Sequence, residues 1–259
     1  MFSIERQSLI LELLEQEGKV EVNALASKFS TSKETIRRDL KEMEAAGILN
    51  RMHGGAVAVA PKRSEGYELP LLARGVQKYE EKQRICKATA QLLEDGDTIF
   101  LDNSSTTMGL LRYVPKNIKI TVLTNSIQVM LEAGKLNNEN IVVISVGGML
   151  NVKNYSIVGA LTKSFAQNFF PDKAIMSCRG IEENSGMTEA NILEIDLKRD
   201  MMTRSKQFIL LADHTKFGLI GAVFLGSLSE VDCVITDPKT DRTRLKMFED
   251  LNTRIIISE

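Results

Sequence analysis

Short polar stretches of this chain carry residue types suited to recognition rather than bond-making. Ser32-Lys33-Glu34-Thr35-Ile36-Arg37-Arg38 sets hydroxyls, a lysine and two arginines within two helical turns. Arginine can grip a guanine edge through paired hydrogen bonds, whereas Ser, Thr and Lys more often hold phosphate. Arg51-Met52-His53-Gly54-Gly55 adds a cation, an imidazole and two glycines that let a backbone approach nucleic acid closely. Downstream, Asp102-Asn103-Ser104-Ser105-Thr106-Thr107 concentrates hydroxyls. At a helix N-terminus such a turn offers N–H and O–H donors and the positive end of the dipole to a phosphate; the same cluster can equally be a cap doing local work. Asp213-His214-Thr215-Lys216-Phe217-Gly218 supplies a further cation.

Bond-breaking chemistry is not legible. His53 and His214 stand far apart, and Cys86, Cys178 and Cys233 are scattered without metal-ligand spacing. Neither a Ser-His-Asp arrangement nor a Walker-type phosphate loop occurs. No metal or cofactor is expected, and the cysteines read as small core residues of a protein kept in a reducing compartment. The 259 residues have a net charge of −1 and are 43% hydrophobic and 26% charged, enough apolar material for a real core. No apolar run approaches the ~18 residues of a membrane span, and the acid-bearing start MFSIERQSLILELLEQEG lacks a signal-cleavage pattern, so a cytoplasmic protein with no membrane partner is expected. Residues 1–56 hold eight Lys or Arg and nine Asp or Glu, and only 27–54 tips positive, six to four. A case for DNA must rest on geometry and motif.

The positioning elements follow from spacing. Leu9, Ile10, Leu13 and Leu14 make one stripe of a helix that Ser3 can cap and Gly18 can end. Val22, Leu25, Ala26 and Phe29, at i, i+3, i+4 and i+7, predict a second helix. Thr31-x-x-Glu34 has the capping-box pattern for a third, with Ser32 an equally good cap; Ile36, Leu40 and Met43 face inward and Gly47 ends it. Residues 48–52 and 56–59 read as strands around a tight His53-Gly54-Gly55 turn. Three helices and a hairpin in under 60 residues is the plan of a winged helix-turn-helix, whose recognition helix enters the major groove. The candidate DNA contacts are Ser32, Lys33, Thr35, Arg37, Arg38, Arg51, His53 and Gly54. Asp39, an acid that would repel phosphate, is expected to orient Arg37, Arg38 or Arg51.

Residues 59–75, with Pro61, Gly66, Pro70 and Gly75 and no clear period, read as a linker. Beyond them, apolar runs at 98–101, 118–123, 141–146, 174–177, 208–212, 231–236 and 255–258 alternate with helical stretches such as 80–93, 126–133, 159–169 and 189–204. Continuously apolar runs separated by helices predict a mostly parallel sheet covered on both faces. The expected fold class is α/β: a winged helix-turn-helix at 1–58, a linker at 59–75 and a larger, mostly parallel α/β effector-sensing domain at 76–259.

The strings Thr35-Ile-Arg-Arg-Asp-Leu40 and Gly47-Ile-Leu-Asn-Arg-Met-His-Gly-Gly-Ala56 resemble the signature of the DeoR family of bacterial regulators. The pattern also includes Arg6 with Ile10 four residues later, the block from Ser32 to Leu40, and Asp-x-x-Lys-Phe-Gly at 213–218. The resemblance covers essentially all 259 residues. It implies a DNA-binding repressor of a sugar-metabolism operon, controlled by a phosphorylated sugar effector, with a second domain resembling ribose-5-phosphate isomerase and glucosamine-6-phosphate deaminase in fold. Many relatives have Gly where this chain has Ser104. The partners implied are double-stranded operator DNA, the sugar phosphate, and further copies of the chain as homodimer or homotetramer, since one small module buries too little surface for specificity. The alternative, a sugar-phosphate isomerase-like enzyme with an accessory N-terminal module, leaves the wing and recognition helix without a job.

Ligands of open α/β sheets bind at strand ends. This singles out Asp102, Ser104, Ser105, Thr106 and Thr107 after the first run, Asn125 after the second, Gly147 and Gly148 after the third, and Asp213 and Lys216 after a later one. Lys216 is expected to contact phosphate or another ligand group. Asp102 and Asp213 either accept hydrogen bonds from sugar hydroxyls or salt-bridge Lys216, and the glycine pair either admits close approach or only makes a turn. Arg179 and Glu189 are further candidates for the pocket rim, for which solvated charge is the ordinary explanation.

Overall fold

The structure is a computed structural model that describes residues 3–59 and 69–259. It divides into two compact units, Met1–Tyr79 and Glu80–Glu259. In the first, helices Ser3–Glu17, Val22–Lys28 and Lys33–Ala45 enclose a core that includes Ile10, Leu14, Leu25, Ile36, Leu40, Met43 and Leu49. These are largely the stripe positions the spacing picks out. Ser32 rather than Thr31 caps the third helix, its Oγ accepting the Thr35 N–H at 3.1 Å.

The wing has a strand more than expected. Lys19–Glu21 pairs antiparallel with Gly55–Ala58, which also pairs with Leu49–Met52. Three residues are too few for an alternation to show. A Cβ on Gly55 would stand 2.1 Å from the Val20 carbonyl oxygen, so this glycine serves the sheet rather than an approach to DNA, a correction. Gly54, exposed at φ +83°, makes the turn.

Of the expected linker, residues 60–68, with Pro61 and Gly66, lie outside the described residues. Leu71–Val76, expected to be irregular, is a helix that buries Leu71, Ala73 and Val76 and packs on Ser3–Glu17. Under two turns give no readable period.

In the second unit every one of the seven apolar runs becomes a strand of a single parallel sheet. The spatial order is Arg254–Ile257, Cys233–Thr236, Gln207–Leu211, Lys173–Met176, Thr98–Leu101, Ile120–Thr124, Ile141–Ser145. Alternate residues serve two cores: Ile99, Leu101, Ile175, Ile209 and Ile235 on one face with Ile85 and Val129 from helices Tyr79–Ala90 and Ile127–Leu136, and Phe100, Met176, Phe208 and Val234 on the other with Ile195 and Met201 from helix Ile192–Arg204. Burial on both faces is why the runs are apolar throughout. The chain winds outward in opposite directions from Thr98–Leu101 and Lys173–Met176, so the strand order reverses between these neighbours. In open sheets of this kind, ligands sit beyond the carboxyl ends of the strands at such a reversal.

Two small antiparallel pieces were not signalled by the sequence: the sheet of Gly180–Glu182, Gly186–Glu189 and Val223–Gly226, and the hairpin Met149–Asn151 with Ser156–Val158. The hydroxyl-rich loop leads into a helix, a seven-residue 3-10 one, Thr107–Tyr113. So short a helix offers little dipole to an anion, and that part of the phosphate argument falls away. Among the described residues no helix is long and apolar enough to cross a membrane.

Candidate functional site

The helix Lys33–Ala45 buries Ile36, Asp39, Leu40 and Met43 and turns Lys33, Arg37, Arg38 and Lys41 to solvent. Strand Leu49–Met52 runs beside it, fastened where the Arg51 N–H donates to Glu44 Oε1 at 2.9 Å. Between helix and strand lies an open groove lined by Ser32, Glu34, Thr35, Arg37, Arg38, Lys41 and Arg51. Four cations against one carboxylate make it positive. Glu34 lies 3.2 Å from Arg37, an exposed pair of small worth that a phosphate or guanine could replace. Five expected DNA contacts thus share one groove: Ser32, Thr35, Arg37, Arg38 and Arg51. Lys33, His53 and Gly54 are exposed on the same unit but outside its lining. Lys41 was missed; its signal is its place one helical turn beyond Arg37 and Arg38.

Asp39 does not orient Arg37, Arg38 or Arg51. Its carboxylate is fully buried and accepts from Arg6, Nε to Oδ2 at 2.5 Å and Nη2 to Oδ1 at 3.0 Å, and from Ser3 Oγ at 3.0 Å. It sits three residues after Ile36, on the apolar side of the helix, so it faces the first helix instead of the groove.

In the second unit, Asp102 closes the switch point. Its Oδ2 accepts the Ser177 N–H across the two central strands at 3.1 Å and lies 2.8 Å from Lys198 Nζ; its Oδ1 accepts from Ser104 N at 3.1 Å and Thr107 Oγ1 at 2.7 Å. A carboxylate has about four acceptor sites, so Asp102 is a strut that shapes the loop, and it forms an ion pair with Lys198. Ser104 Oγ is likewise occupied by Thr107, N–H at 3.1 Å and Oγ1 at 2.9 Å. Ser105 differs, facing Lys82 Nζ at 3.0 Å, and the Thr106 carbonyl accepts the Cys86 thiol. The loop therefore splits into hydroxyls that hold its own backbone and one that faces a cation.

Lys198 bridges Asp102, Glu189 at 2.5 Å and the Ser177 carbonyl at 2.8 Å. Burial alone would lower its pKa, but Asp102 and Glu189 outweigh that and keep it charged. Glu189 is thus buried and paired rather than solvated. Asp213, at the end of the next strand, accepts from both Thr215 N–H and Thr215 Oγ1. Burial raises its pKa, but Lys216, Lys82 and the Thr215 bonds hold it below the usual carboxylate range. Ser105, Lys82, Asp213 and Lys216 accordingly form one electrostatic neighbourhood. Asn125 donates to the Ile157 carbonyl at 3.2 Å, and its buried Oδ1 has no partner among the described residues. Gly147 and Gly148 are engaged elsewhere: the Gly147 carbonyl accepts Thr162 Oγ1 at 2.7 Å, and Gly148, at φ +144°, would drive a Cβ to 2.0 Å from that hydroxyl. Arg179 donates its N–H to the Thr188 carbonyl at 2.9 Å within the small antiparallel sheet.

Lys82 and Lys198 escaped the sequence reading, although each carries a signal. Lys82 falls on the stripe of Ile85, Cys86 and Thr89, and Lys198 on that of Ile195, Met201 and Met202. A lysine on the buried face of a helix needs a paired partner.

Residues 6–62 match the family described as DeoR-like helix-turn-helix domain and residues 77–238 the family described as DeoR C terminal sensor domain. The chain is 36% identical over 255 residues to the uncharacterized HTH-type transcriptional regulator YulB of Bacillus subtilis, covering 98% of this chain and 96% of that protein. It is 34% identical to the HTH-type transcriptional regulator GolR of Listeria innocua, covering both in full. It is 32% identical to the glycerol-3-phosphate regulon repressor of Escherichia coli, covering 96% of this chain and 97% of that protein. Among solved structures, ribose 5-phosphate isomerase A of Methanocaldococcus jannaschii aligns over 54% of this chain and 55% of its own at 15% identity and a TM-score of 0.40.

Proposed function

The chain belongs to the DeoR family of DNA-binding transcriptional regulators, and from that premise we propose that it is a repressor released from operator DNA by a phosphorylated sugar bound at the switch point of its second unit. It is a regulator and not an enzyme, as its whole-length relatives are named. The observation that carries the effector reading is the meeting of Ser105 with Lys82 beside Asp213 and Lys216, at the carboxyl ends of the parallel strands. Lysines supply charge for a phosphate, and Asp213 and Asn125 Oδ1 are acceptors for hydroxyls. The glycerol-3-phosphate regulon repressor, by its name, serves a phosphorylated polyol.

In the DNA-bound state the groove residues Ser32, Thr35, Arg37, Arg38 and Arg51, with Lys33, His53 and Gly54 beside them, contact the duplex. Two copies at least are needed to hold two half-sites. The sugar phosphate acts by binding one arrangement more tightly than the other, tenfold preference being worth ~1.4 kcal/mol. Such a protein works in the cytoplasm, where DNA and phosphorylated sugars meet.

A thermal-shift screen against phosphorylated sugars and their unphosphorylated parents tests this. A ligand that binds only the native state raises the unfolding midpoint, and the rise is expected for phosphorylated forms alone. Equal shifts with both forms, or DNA affinity that the active compound leaves unchanged, would refute the effector reading.

A further inference from the structure

The hairpin Met149–Asn151 with Ser156–Val158 and the helix Ala160–Ala166 after it turn large apolar side chains to solvent. Met149, Leu150, Val152, Leu161, Phe165 and, just beyond, Phe170 are between 41% and 75% exposed. The two elements adjoin: Met149 Cε would lie 3.3 Å from a Cβ on Gly159, the residue that opens the helix. We propose that this face binds a second copy of the chain.

Area supports it. A side chain worth about 1.5–3 kcal/mol on full burial at ~25 cal/mol per Å2 presents roughly 60–120 Å2 of apolar surface, so the six, 41% to 75% exposed, leave roughly 200–450 Å2 in water. A standard interface takes about 800 Å2 from each partner, a little over half of it apolar. The patch therefore matches the apolar share of one side of a dimer. A patch of this size is among the largest a monomer exposes, and such patches often have a role.

Charge does little to oppose a like partner. From Met149 to Phe170 the charged residues are Lys153 and Lys163, and Lys163 leans toward Asp200 at 3.9 Å, so two such faces meet with little repulsion. Isologous pairing also supplies the second DNA-reading module that two half-sites demand, the one point at which the choice of occupant rests on the proposed function.

The face is tied to the ligand loop through one buried carboxylate. Glu194 Oε1 accepts from Asn103 Nδ2 at 3.2 Å in that loop and from Asn154 Nδ2 at 3.1 Å and Ser156 Oγ at 2.9 Å in the hairpin. A shift of the loop changes the hairpin's support, giving a bound ligand a route to the dimer contact.

Sedimentation equilibrium of the full chain, without DNA or sugar, tests the proposal on wild type, Leu150→Glu/Leu161→Glu and, as a control on the exposed side of helix Ile127–Leu136, Leu131→Glu. Wild type is expected to sediment as a dimer or a multiple of it. The double variant should raise the dissociation constant about tenfold or more, and the control should leave it unchanged. Thermal melting checks folding; if the double variant melts below the assay temperature, Leu161→Ser, at an exposed site, is read in its place with the same direction expected. A monomeric wild type, a double variant of unchanged mass, or equal weakening by Leu131→Glu overturns the proposal. Because no sugar is added, a failed ligand screen and a failed self-association test are separate results.

Discussion

Arg6 and Asp39, 33 residues apart, form a buried, two-pronged ion pair that bolts the first helix to the back of helix Lys33–Ala45. Hydrogen bonding to Asp39 raises the Arg6 pKa, and Ser3 takes up a further lone pair of the carboxylate. The pair reaches the basic groove only through the helix it holds in place.

Breaking this pair leaves an unmatched buried charge, which costs about 3–5 kcal/mol. Arg6→Ala should lose that much in urea unfolding of the first unit. Arg6→Ala/Asp39→Ala, which removes both charges, should lose clearly less than the two single losses combined. Strictly additive losses would show that the two residues do not interact as the geometry says.

On the opposite side of the same helix the effects should fall on binding rather than stability. Arg37→Ala is expected to weaken specific DNA binding and relax base preference by ~1–3 kcal/mol, and Lys33→Ala to weaken all sequences alike and flatten the salt dependence. Anisotropy titrations on operator and random duplexes at several salt concentrations separate the two. Equal losses on both duplexes for Arg37→Ala would remove its base-reading role.

The sheet was legible because burial on both faces turns each strand into an apolar run, and Thr98–Leu101 appears at its predicted bounds. The wing's third strand and the hairpin were not, since three residues carry no period. Site residues divide by the same logic. Exposed Arg37 and Arg38 are local facts of a helix face, whereas Asp102 meeting Lys198, or Asp39 meeting Arg6, depends on partners 96 and 33 residues away that no spacing rule reaches.

Removing the hydroxyl and cation at the strand ends should separate sensing from DNA binding. Ser105→Ala/Lys216→Ala is expected to bind operator normally yet ignore the inducing sugar phosphate, and Lys82→Met to do likewise. The measurement is operator affinity with and without the sugar phosphate. A double variant that still responds at wild-type concentrations places the pocket elsewhere.

Burial pushes the thiols of Cys86 and Cys178 up to about 12 and that of Cys233 up to about 11. The reactive thiolate is then scarce at pH 7. The native chain should be inert to a thiol-specific reagent and should yield three reactive groups once unfolded in urea. Rapid labelling of one thiol in the native state would contradict the packing around it.

Asp213 gives the structure a dependence on acid. Lys216, Lys82 and Thr215 outweigh burial and hold its carboxyl below the ordinary value. A depressed pKa contributes stability that is complete above the unfolded value, near ~3.9, and is lost as pH falls through the folded one. Asp213→Asn keeps the shape and removes the charge. In urea unfolding at pH 7 the variant should be less stable than wild type, and the gap should narrow as pH drops below about 4, where wild type also loses the charge. The same substitution leaves Lys82 and Lys216 without this counter-charge, so inorganic phosphate should protect the variant against urea more than it protects wild type at pH 7. A stability gap that stays constant from pH 7 to 3 would mean that the Asp213 carboxylate gains nothing from its lysine neighbours.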